Sequence, residues 1–312
     1  MSAKKRRVPL TTIARPVSWS GPGIHTGEAC RVTVAPAETP GLRFVADGVE
    51  IPAIVDCVVD TTRCTVLGRD GASIATVEHV LAALTGLGIW SARIVVDGPE
   101  LPALDGSAGP YVEGILDAGA VEIGAIDALV PPAGRIEDAG AVRAGFPAGD
   151  RPAAAFTLSG DRPAASFTLS GDRPAASFTL SGDRTAASFA LSGDHPLLSG
   201  QSARIFLDDP STFAGEIAPC RTWAPIEQVE ALLARNLIRG GSLENAVVVY
   251  RDRYSSPLRR ECEPARHKLL DLIGDLALVG SPIDAEIVAL GGGHTLNVSA
   301  IRRIKRMVES RE

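Results

Sequence analysis

The sequence predicts an α+β fold built from two similar halves, each combining short strands with two helices. The chain has 312 residues, a length that suggests two domains. Short β-branched segments typical of strands occur in each half together with apolar residues at helical spacing. With 45% hydrophobic and 22% charged residues, the composition is that of a folded globular protein.

Two strands and two helices are predicted in the first half. Apolar residues at i, i+3, i+4 and i+7 predict the first helix, with Thr76 as its N-cap and Gly86 as its end. A second apolar helix is expected after a segment rich in turn-forming residues. In chain order these elements are a strand at 31–34, a helix at 77–84, a strand at 94–96, the turn-rich segment at 101–110 and a helix at 111–118.

The second half repeats this general plan. The prolines Pro131-Pro132 are typical of a connection, so the first domain is placed at 1–127 and the second at 128–312. Gly240-Gly241 is expected to break the helical pattern before it. The predicted elements are a helix at 226–237, a strand at 246–250, a helix at 265–279, a strand at 287–290 and a last helix from residue 294 to about residue 308.

Between the two halves, an 11-residue unit occurs four times in tandem. The copies are residues 151–161, 162–172, 173–183 and 184–194, and the second and third copies are identical. Each alternates apolar and polar side chains and ends in a turn-forming Ser-Gly-Asp segment. We expect either a β-meander or one native strand with the extra copies looped out. A short solenoid is the alternative, although its weak apolar face would make a poor core. No catalytic role is expected for the repeat.

The composition argues against several classes of function. The net charge of −6 gives no general attraction to nucleic acid, and the basic segment at 4–7 is more simply a solvated chain end than a nucleic-acid signal. No apolar run has the roughly 18 residues that a membrane span needs, and a secretory signal is not expected. The five cysteines are scattered and form no CxxC pair. This pattern is typical of a reduced, cytoplasmic protein.

Two short segments far apart in the chain are predicted to form one metal site. His267 and Asp271 are four residues apart, so on a helix their side chains lie on one face, one turn apart. Together with His79, they make a set of two histidines and one aspartate. Three protein ligands leave the fourth tetrahedral position open for water, which is typical of catalytic rather than structural zinc. Glu78, beside His79, is the candidate general base.

Three other residues fit the hydrolysis that such a site would support. His294 follows three glycines and is expected to act as a cation near the tetrahedral intermediate, or as an acid to the leaving amine. Asp275, one turn beyond Asp271, is expected to hold His294 in its charged form. Thr222 is expected to offer a hydroxyl to the oxyanion. A structural role remains the alternative for each side chain, because an isolated histidine or a His-x-x-x-Asp pair is a weak signal alone.

Several longer motifs contain these residues. They are Gly23-Ile24-His25-Thr26-Gly27, Thr76-Val77-Glu78-His79, Leu104-Asp105-Gly106-Ser107-Ala108, Gly240-Gly241-Ser242-Leu243-Glu244-Asn245-Ala246, Arg266-His267-Lys268 through Asp271, Gly274-Asp275-Leu276, and Gly293-His294-Thr295-Leu296-Asn297. In this order, and over most of residues 10–146 and 195–305, the chain resembles the UDP-3-O-acyl-N-acetylglucosamine deacetylase family, the zinc amidases of lipid A biosynthesis. So many motifs in the family's order make the resemblance highly specific.

The resemblance implies a role for each matching position. One zinc ion per chain would be held by His79, His267 and Asp271, and the sequence leaves open whether Fe2+ replaces it in the cell. Glu78 would be the general base and His294 the catalytic histidine. The remaining expectations are Asp275 as the acidic partner of the histidine, Thr222 at the scissile carbonyl, Lys268 near the diphosphate, Trp223, Leu233, Leu237 and Gly293 as substrate contacts, and His25 and Asp105 in support of the site.

The resemblance also implies the architecture and the setting. The family fold is a two-domain α+β sandwich in which each domain is a sheet with two helices, and the helices lie between the two sheets. A β-α-β insert at 223–250 would line the acyl-chain tunnel, and the repeat at 151–194 would be an insertion in the second domain. The implied partner is a UDP-linked acylated N-acetylglucosamine. We expect a cytoplasmic monomer with no nucleic-acid partner and at most transient contact with the inner membrane surface.

This chain departs from the family pattern at four places. The tandem repeat replaces one strand and its connection, Trp223 stands where phenylalanine is usual, Gly291-Gly292-Gly293 is looser than usual, and Val298-Ser299 replaces a more polar pair. These departures leave the acyl-chain preference open. Two alternative functions remain, a related deacetylase of another N-acetylated sugar and a non-catalytic scaffold with the repeat as its interaction surface. A scaffold, however, has no chemical reason to keep the zinc and base residues.

Overall fold

The computed structural model describes residues 6–131, 134–137, 155–159, 166–167, 178–179, 185–191 and 194–310. Within these residues the chain is a mixed α+β structure with several sheets, as the sequence predicts. The helices are α1 (Glu78–Gly86), α2 (Gly109–Ala118), α3 (Pro210–Thr212), α4 (Ile226–Leu233), α5 (Glu263–Leu276) and α6 (His294–Glu309). Among the helices described, none is long and apolar enough to cross a membrane.

The first half of the chain forms a large sheet and a small one. The large sheet has the order β10-β1-β9-β3-β2, with β4 paired to β9 and β5 to β4, and the small sheet has the order β6-β7-β8. The strands are β1 (Arg6–Ile13), β2 (Val17–Pro22), β3 (Ala29–Ala35), β4 (Gly41–Ala46), β5 (Val49–Pro52), β6 (Val58–Asp60), β7 (Val66–Arg69), β8 (Ala72–Ile74), β9 (Ile89–Asp97) and β10 (Ala120–Ala128).

Helix α1 is buried along its whole length, which explains why it is apolar apart from Glu78, His79 and Thr85. It packs against the central strand β9, against α2 and against α5 of the second half. The prediction that Thr76 is its N-cap was wrong, because Val77 holds that position. Thr76 has a left-handed backbone with φ 60°, and its hydroxyl donates to the fully buried carboxylate of Glu100 at 2.8 Å. A buried carboxylate needs donors, and this need overrides local capping.

The second half forms a five-stranded sheet with the order β11-β12-β19-β15-β16, and two small two-stranded sheets. Strand β19 is central, pairing antiparallel with β12 and parallel with β15. The strands are β11 (Gly134–Glu137), β12 (Ala155–Ser159), β13 (Ser166–Phe167), β14 (Phe178–Thr179), β15 (Ala186–Ala190), β16 (Ser202–Phe206), β17 (Trp223–Pro225), β18 (Val247–Val249) and β19 (Glu286–Leu290).

The first and fourth copies of the repeat contribute different strands to this sheet. Strand β12 comes from the first copy and β15 from the fourth, and they lie on opposite sides of β19. The second and third copies contribute β13 and β14, which pair with each other. The described strands of the repeat therefore do not follow one another as a meander. Most of the second and third copies lies outside the described residues.

The segment that follows residue 222 has a strand, a helix and a second strand. Strands β17 and β18 pair in parallel, and α4 packs against both. The prediction that this helix runs to Leu237 was wrong by four residues, because α4 ends at Leu233. Asn236 has φ 56°, and the amide of Leu237 donates to the carbonyl of Leu232 at 3.0 Å. These are the features of a Schellman motif, which ends a helix.

The helices of the two halves meet in the middle of the molecule. Helix α1 packs on β9 of the first sheet, α5 packs on β15 and β16 of the second sheet, and α1 and α5 contact each other. Their approach is closest at Gly274, where any side chain would collide with the backbone carbonyl of Glu78. The close crossing brings the start of α1 beside the last turn of α5.

Candidate active site

Three side chains from the two crossing helices form a buried cluster. His79 comes from the first turn of α1, and His267 and Asp271 lie one turn apart on α5. The Oδ1 atom of Asp271 is 3.4 Å from Nε2 of His267 and 3.6 Å from Nε2 of His79. One potential ligand atom from each residue lies within 4.8 Å of the others. The four-residue spacing therefore places both α5 side chains on one face, as predicted.

The surrounding contacts prepare these atoms for a cation. Nδ1 of His267 lies 3.0 Å from the carbonyl oxygen of Cys220, so it donates there and leaves the Nε2 lone pair toward the cluster. Burial lowers the pKa of His267 to about 4, so the ring is neutral, as a metal ligand must be. Oδ1 of Asp271 is buried and has no hydrogen-bond partner among the described residues. Two nitrogens and one unpartnered carboxylate oxygen fit zinc.

The other oxygen of Asp271 accepts a hydrogen bond from Nζ of Lys268 at 2.9 Å. Burial alone would raise the pKa of Asp271, but His267 and Lys268 outweigh it and hold this pKa well below its usual value. The carboxylate is therefore ionised at neutral pH. In this structure the Lys268 ammonium contacts the metal-ligand candidate, and its predicted contact with substrate stays a prediction.

Glu78 lies beside the cluster, at the start of α1. Its Oε2 accepts a hydrogen bond from the backbone amide of Thr65 at 3.1 Å, and its Oε1 is 3.8 Å from Nε2 of His294. The side chain is buried, and burial raises its pKa above the usual value for glutamate. A carboxylate whose pKa is shifted toward neutrality is better suited to accept a proton from water.

His294 begins α6 and lies between two carboxylates. Its Nδ1 contacts Oδ2 of Asp275 at 2.9 Å, while its Nε2 is directed at Glu78. Burial would lower the pKa of His294, but the charges of Asp275 and Glu78 outweigh it and raise the pKa to about 9. With this pKa the ring is a cation at neutral pH.

The glycines before His294 have two different conformations. Gly291 and Gly292 have φ values of 62° and 87°, which side-chain-bearing residues rarely adopt. Gly293, the N-cap of α6, is extended, and any residue can adopt that backbone. The required glycines are therefore the two that precede Gly293. The structure gives no separate reason for glycine at position 293, whose substrate contact stays a prediction.

Thr222 and Trp223 follow a buried ion pair that anchors this part of the chain. The guanidinium of Arg221 donates through Nε to Oε1 of Glu263 at 2.9 Å and through Nη2 to Oε2 at 3.1 Å. The indole Nε1 of Trp223 donates to the carbonyl of Pro264 at 2.9 Å. Both contacts join the segment to the first turn of α5. These contacts anchor the chain on both sides of Thr222. Two residues before Thr222 is Cys220, whose carbonyl accepts a hydrogen bond from His267.

His25 and Asp105 hold loops around the cluster. The backbone amide of His25 donates to the buried carboxylate of Glu100 at 3.1 Å, and the carbonyl of His25 accepts from the amide of Arg239 at 3.3 Å. Asp105 forms a salt bridge of 2.6 Å with Arg259. Both residues therefore connect the first half to the second, and their supporting role in the site stays a prediction.

Leu233 and Leu237, the predicted acyl-chain contacts, lie at the end of α4 and just beyond it. Leu233 is 58% exposed. Leu237 is partly buried and sits after the helix has ended. An exposed leucine is available to an apolar ligand, but no measured contact assigns one.

Several residues that contact the site were not predicted from the sequence. Their hydrogen-bond partners are distant in sequence, so no helix or strand periodicity identifies them. Thr65 donates to Asp275, 210 residues away, and Arg221 pairs with Glu263, 42 residues away. Asn297, which donates to Asp275 at 2.8 Å, is part of a recognised motif, but no role was assigned to it.

The chain matches a family model described as UDP-3-O-acyl N-acetylglycosamine deacetylase over residues 10–149 and 167–306. It is 40% identical over 303 residues to a UDP-3-O-acyl-N-acetylglucosamine deacetylase of Anaeromyxobacter dehalogenans, covering 94% of this chain and 86% of that protein. Proteins of the same name from Myxococcus xanthus and Trichormus variabilis are 37% and 34% identical, over 94% of this chain and 85% and 97% of their own lengths.

Proposed function

Because the chain belongs to the UDP-3-O-acyl-N-acetylglucosamine deacetylase family, we propose that it hydrolyses the N-acetyl group of UDP-3-O-acyl-N-acetylglucosamine and releases acetate, in lipid A biosynthesis. One observation supports this proposal above the others. The buried atoms of His79, His267 and Asp271 lie together beside Glu78 and a charged His294. A metal site, a base and an acid are the parts that amide hydrolysis needs.

One zinc ion per chain is proposed at the cluster, held by Nε2 of His79, Nε2 of His267 and Oδ1 of Asp271. The unpartnered Oδ1 atom of Asp271 supports this assignment, since a buried carboxylate oxygen without a donor is costly. The chemistry that zinc supplies when bound is polarisation of a carbonyl oxygen and a lowered pKa for water. The same ligands would also accept Fe2+, so metal analysis must identify the ion.

Glu78 acts as the general base in this mechanism. Its Oε1 faces Nε2 of His294, while Oε2 is held by the amide of Thr65, so Oε1 is the oxygen positioned to accept the proton from the attacking water. Burial raises the pKa of Glu78 and makes its carboxylate a stronger base than an exposed glutamate.

His294 acts as the cation and the acid. Its charge stabilises the negative oxygen that develops on the amide carbonyl, and its Nε2 proton passes to the leaving nitrogen. Asp275 holds Nδ1 at 2.9 Å, which fixes the ring so that Nε2 faces the site. The hydroxyl of Thr222 is proposed to donate to the same carbonyl oxygen. Thr222 is two residues from Cys220, whose carbonyl accepts a hydrogen bond from the proposed ligand His267.

Substrate binding is proposed along the second half of the chain. Lys268 would approach the diphosphate, Gly293 would line the sugar site, and the segment of β17, α4 and β18 would bind the acyl chain. The exposure of Leu233 supports the last point, because its apolar side chain is accessible to an acyl chain. Trp223, with Leu237, would contribute further apolar surface there.

The two-domain division at residue 127 is part of the proposal. Every strand of the large sheet lies before residue 129, and every strand of the five-stranded sheet lies after residue 133. Contacts between α1 and α5 support a sandwich in which the helices lie between the sheets. A monomeric state and a cytoplasmic location remain proposals that follow from the family and from the free cysteines.

The test is an acetate-release assay on UDP-3-O-acyl-N-acetylglucosamine, combined with metal analysis of the purified protein. We expect acetate release by the zinc-loaded protein, and a Glu78→Gln variant that keeps its zinc but loses about 100-fold or more of the rate, as loss of a general base does. Zinc without activity would favour a deacetylase of another sugar. Absence of both would favour the scaffold, and a fully active, zinc-loaded Glu78→Gln variant would refute the mechanism.

A further inference from the structure

Thr65 is a fully buried residue next to the proposed catalytic groups, in the loop between β6 and β7. All of its hydrogen-bonding groups are used. Its amide donates to Oε2 of Glu78 at 3.1 Å, and its hydroxyl donates to Oδ1 of Asp275 at 2.6 Å. The same hydroxyl oxygen lies 3.3 Å from Nδ1 of His294. Its carbonyl accepts from the amide of Val77 at 3.4 Å. Thr65 is thus bonded to the base, to the partner of the acid and to the residue that starts α1.

The two carboxylates that Thr65 contacts lie on either side of His294. Asp275 is 2.9 Å from Nδ1 of the ring, and Glu78 is 3.8 Å from Nε2. Glu78 belongs to α1 of the first half, whereas Asp275 and His294 belong to α5 and α6 of the second half. Thr65 therefore spans the junction between the halves at the point where base and acid face each other.

We propose that Thr65 is a positioning residue that fixes the Glu78 carboxylate relative to the Asp275–His294 pair. The proposal rests on the proposed function, since it assigns Thr65 a part in the same reaction. Productive proton transfer depends on the base and the acid lying within hydrogen-bond reach of the reacting atoms. Thr65 hydrogen-bonds to Glu78 and to Asp275 from one loop, so it fixes the distance between base and acid without itself being a substrate contact.

The hydroxyl of Thr65 is the group that the test must remove. Oδ2 of Asp275 accepts from His294 and from Asn297, so the hydroxyl is the donor available to Oδ1 within the described chain. Without it, a buried carboxylate oxygen is left without a partner, and the carboxylate can rotate away from Nδ1 of His294. The backbone amide that holds Glu78 survives any substitution, so the hydroxyl effect can be isolated.

The test compares Thr65→Val, which removes the hydroxyl at nearly constant volume, with Thr65→Ser, which keeps it. The matched control is Thr85→Val, because Thr85 is also buried and its hydroxyl donates to the carbonyl of Leu81 within α1, away from the reacting groups. For Thr65→Val we expect kcat to fall roughly 10- to 100-fold with KM changed less than about threefold, as for other groups that orient catalytic residues. Thr65→Ser and Thr85→Val are expected to stay within about threefold of the wild-type kcat.

A readout independent of turnover is the Nδ1 proton of His294 in 15N-histidine-labelled, zinc-loaded protein. In Thr65→Val this resonance is expected to shift and to exchange faster with water, whereas in Thr85→Val it is expected to be unchanged. The experiment separates this proposal from the proposed function. If the wild type fails to release acetate but the resonance responds as described, the function fails and the positioning contact stands.

Two outcomes would overturn the proposal. One is a Thr65→Val variant with kcat within threefold of the wild type and an unaltered His294 resonance. The other is an equal loss of kcat in Thr65→Val and Thr65→Ser accompanied by loss of zinc or of folded protein, since this pattern means that Thr65 only stabilises the fold. If Thr65→Val fails to fold, Thr65→Ala, which also removes the hydroxyl, takes its place, and an unaltered His294 resonance in that variant overturns the proposal.

Discussion

Removing the second and third copies of the tandem repeat, residues 162–183, should leave the fold and the activity intact. Strands β12 and β15 come from the first and fourth copies and flank β19, with Ser159 and Ala186 both paired to Glu286. The deletion takes out β13 and β14, which are paired with each other. The five-stranded sheet therefore keeps all of its described strands.

The magnitude follows from the distance that the shortened connection must span. The chain must cross β19 between Ser159 and Ala186, which is two strand spacings or about 10 Å. Four residues remain in the connection, and their five links reach about 17 Å when extended. Shortening the connection from 26 residues to four lowers the free-energy cost of closing the loop by about 1.7 kcal/mol. The stiffness of a short loop offsets part of this gain. We therefore expect unfolding free energy unchanged or higher by up to about 2 kcal/mol.

The near-identity of the copies supplies a matched pair of controls. Deleting 173–183 or 184–194 gives two proteins of equal length that differ at two positions, because the third copy has proline where Thr185 stands and threonine where Ala190 stands. Thr185 donates a hydrogen bond of 2.9 Å to Asp284, and Ala190 is buried. Deletion of 184–194 should cost about 1 kcal/mol for the hydrogen bond and about 1–3 kcal/mol for overpacking, whereas deletion of 173–183 should cost nothing.

Thermal unfolding and acetate release measure all three deletions. Loss of more than about 2 kcal/mol of stability, or of activity, on deletion of 162–183 would refute the reasoning, because it would mean that the middle copies support the sheet. Equal melting temperatures for the two single-copy deletions would refute the account of why the fourth copy forms β15.

Three further predictions concern the site and its surroundings. His79→Ala should abolish stoichiometric zinc binding measured by metal analysis, and retained zinc would refute its place in the ligand set. Trp223→Phe should lower the unfolding free energy by about 1 kcal/mol through loss of the hydrogen bond to Pro264, and an unchanged midpoint in urea would show that this bond adds nothing. Glu263→Gln should cost about 3–5 kcal/mol at pH 7 by leaving the buried Arg221 unpaired. Burial raises the pKa of Glu263, but its bonds to Arg221 outweigh this effect and lower the pKa below its usual 4.5. The Glu263 carboxylate therefore stabilises the folded protein above pH 4.5, and this stabilisation is lost as the pH falls through the pKa of the folded state. The difference in unfolding free energy between the wild type and Glu263→Gln should thus narrow below pH 4.5. A difference that stays constant with pH would contradict the role given to the Glu263 carboxylate.

The parts of the site that local spacing defines could be predicted from the sequence. His267 and Asp271 lie on one face because four residues make about one helical turn, whatever the rest of the fold does. The contacts of Thr65 could not be predicted in this way, since they join a loop to a helix 210 residues later. Arg221 and Glu263 pair for the same tertiary reason.

Each error in the fold prediction can be traced to a particular residue or contact. Thr76 has the side chain of a good N-cap, but the buried carboxylate of Glu100 uses its hydroxyl instead. The end of α4 was predictable in principle, because asparagine tolerates the left-handed conformation that Asn236 adopts there. For the repeat, the copies differ at so few positions that the sequence did not show which of them pair with β19.

The contact between Gly274 and the backbone of Glu78 limits how the molecule can admit its substrate. The crossing leaves no space for a side chain at position 274, so the two helices cannot be pressed closer, and rotating one half against the other would separate His79 on α1 from His267 and Asp271 on α5. Hinge opening between the halves would therefore dismantle the reaction centre each time a substrate entered. Helix α4, none of whose residues is buried, is held far less tightly than α1 or α5 and takes no part in this crossing.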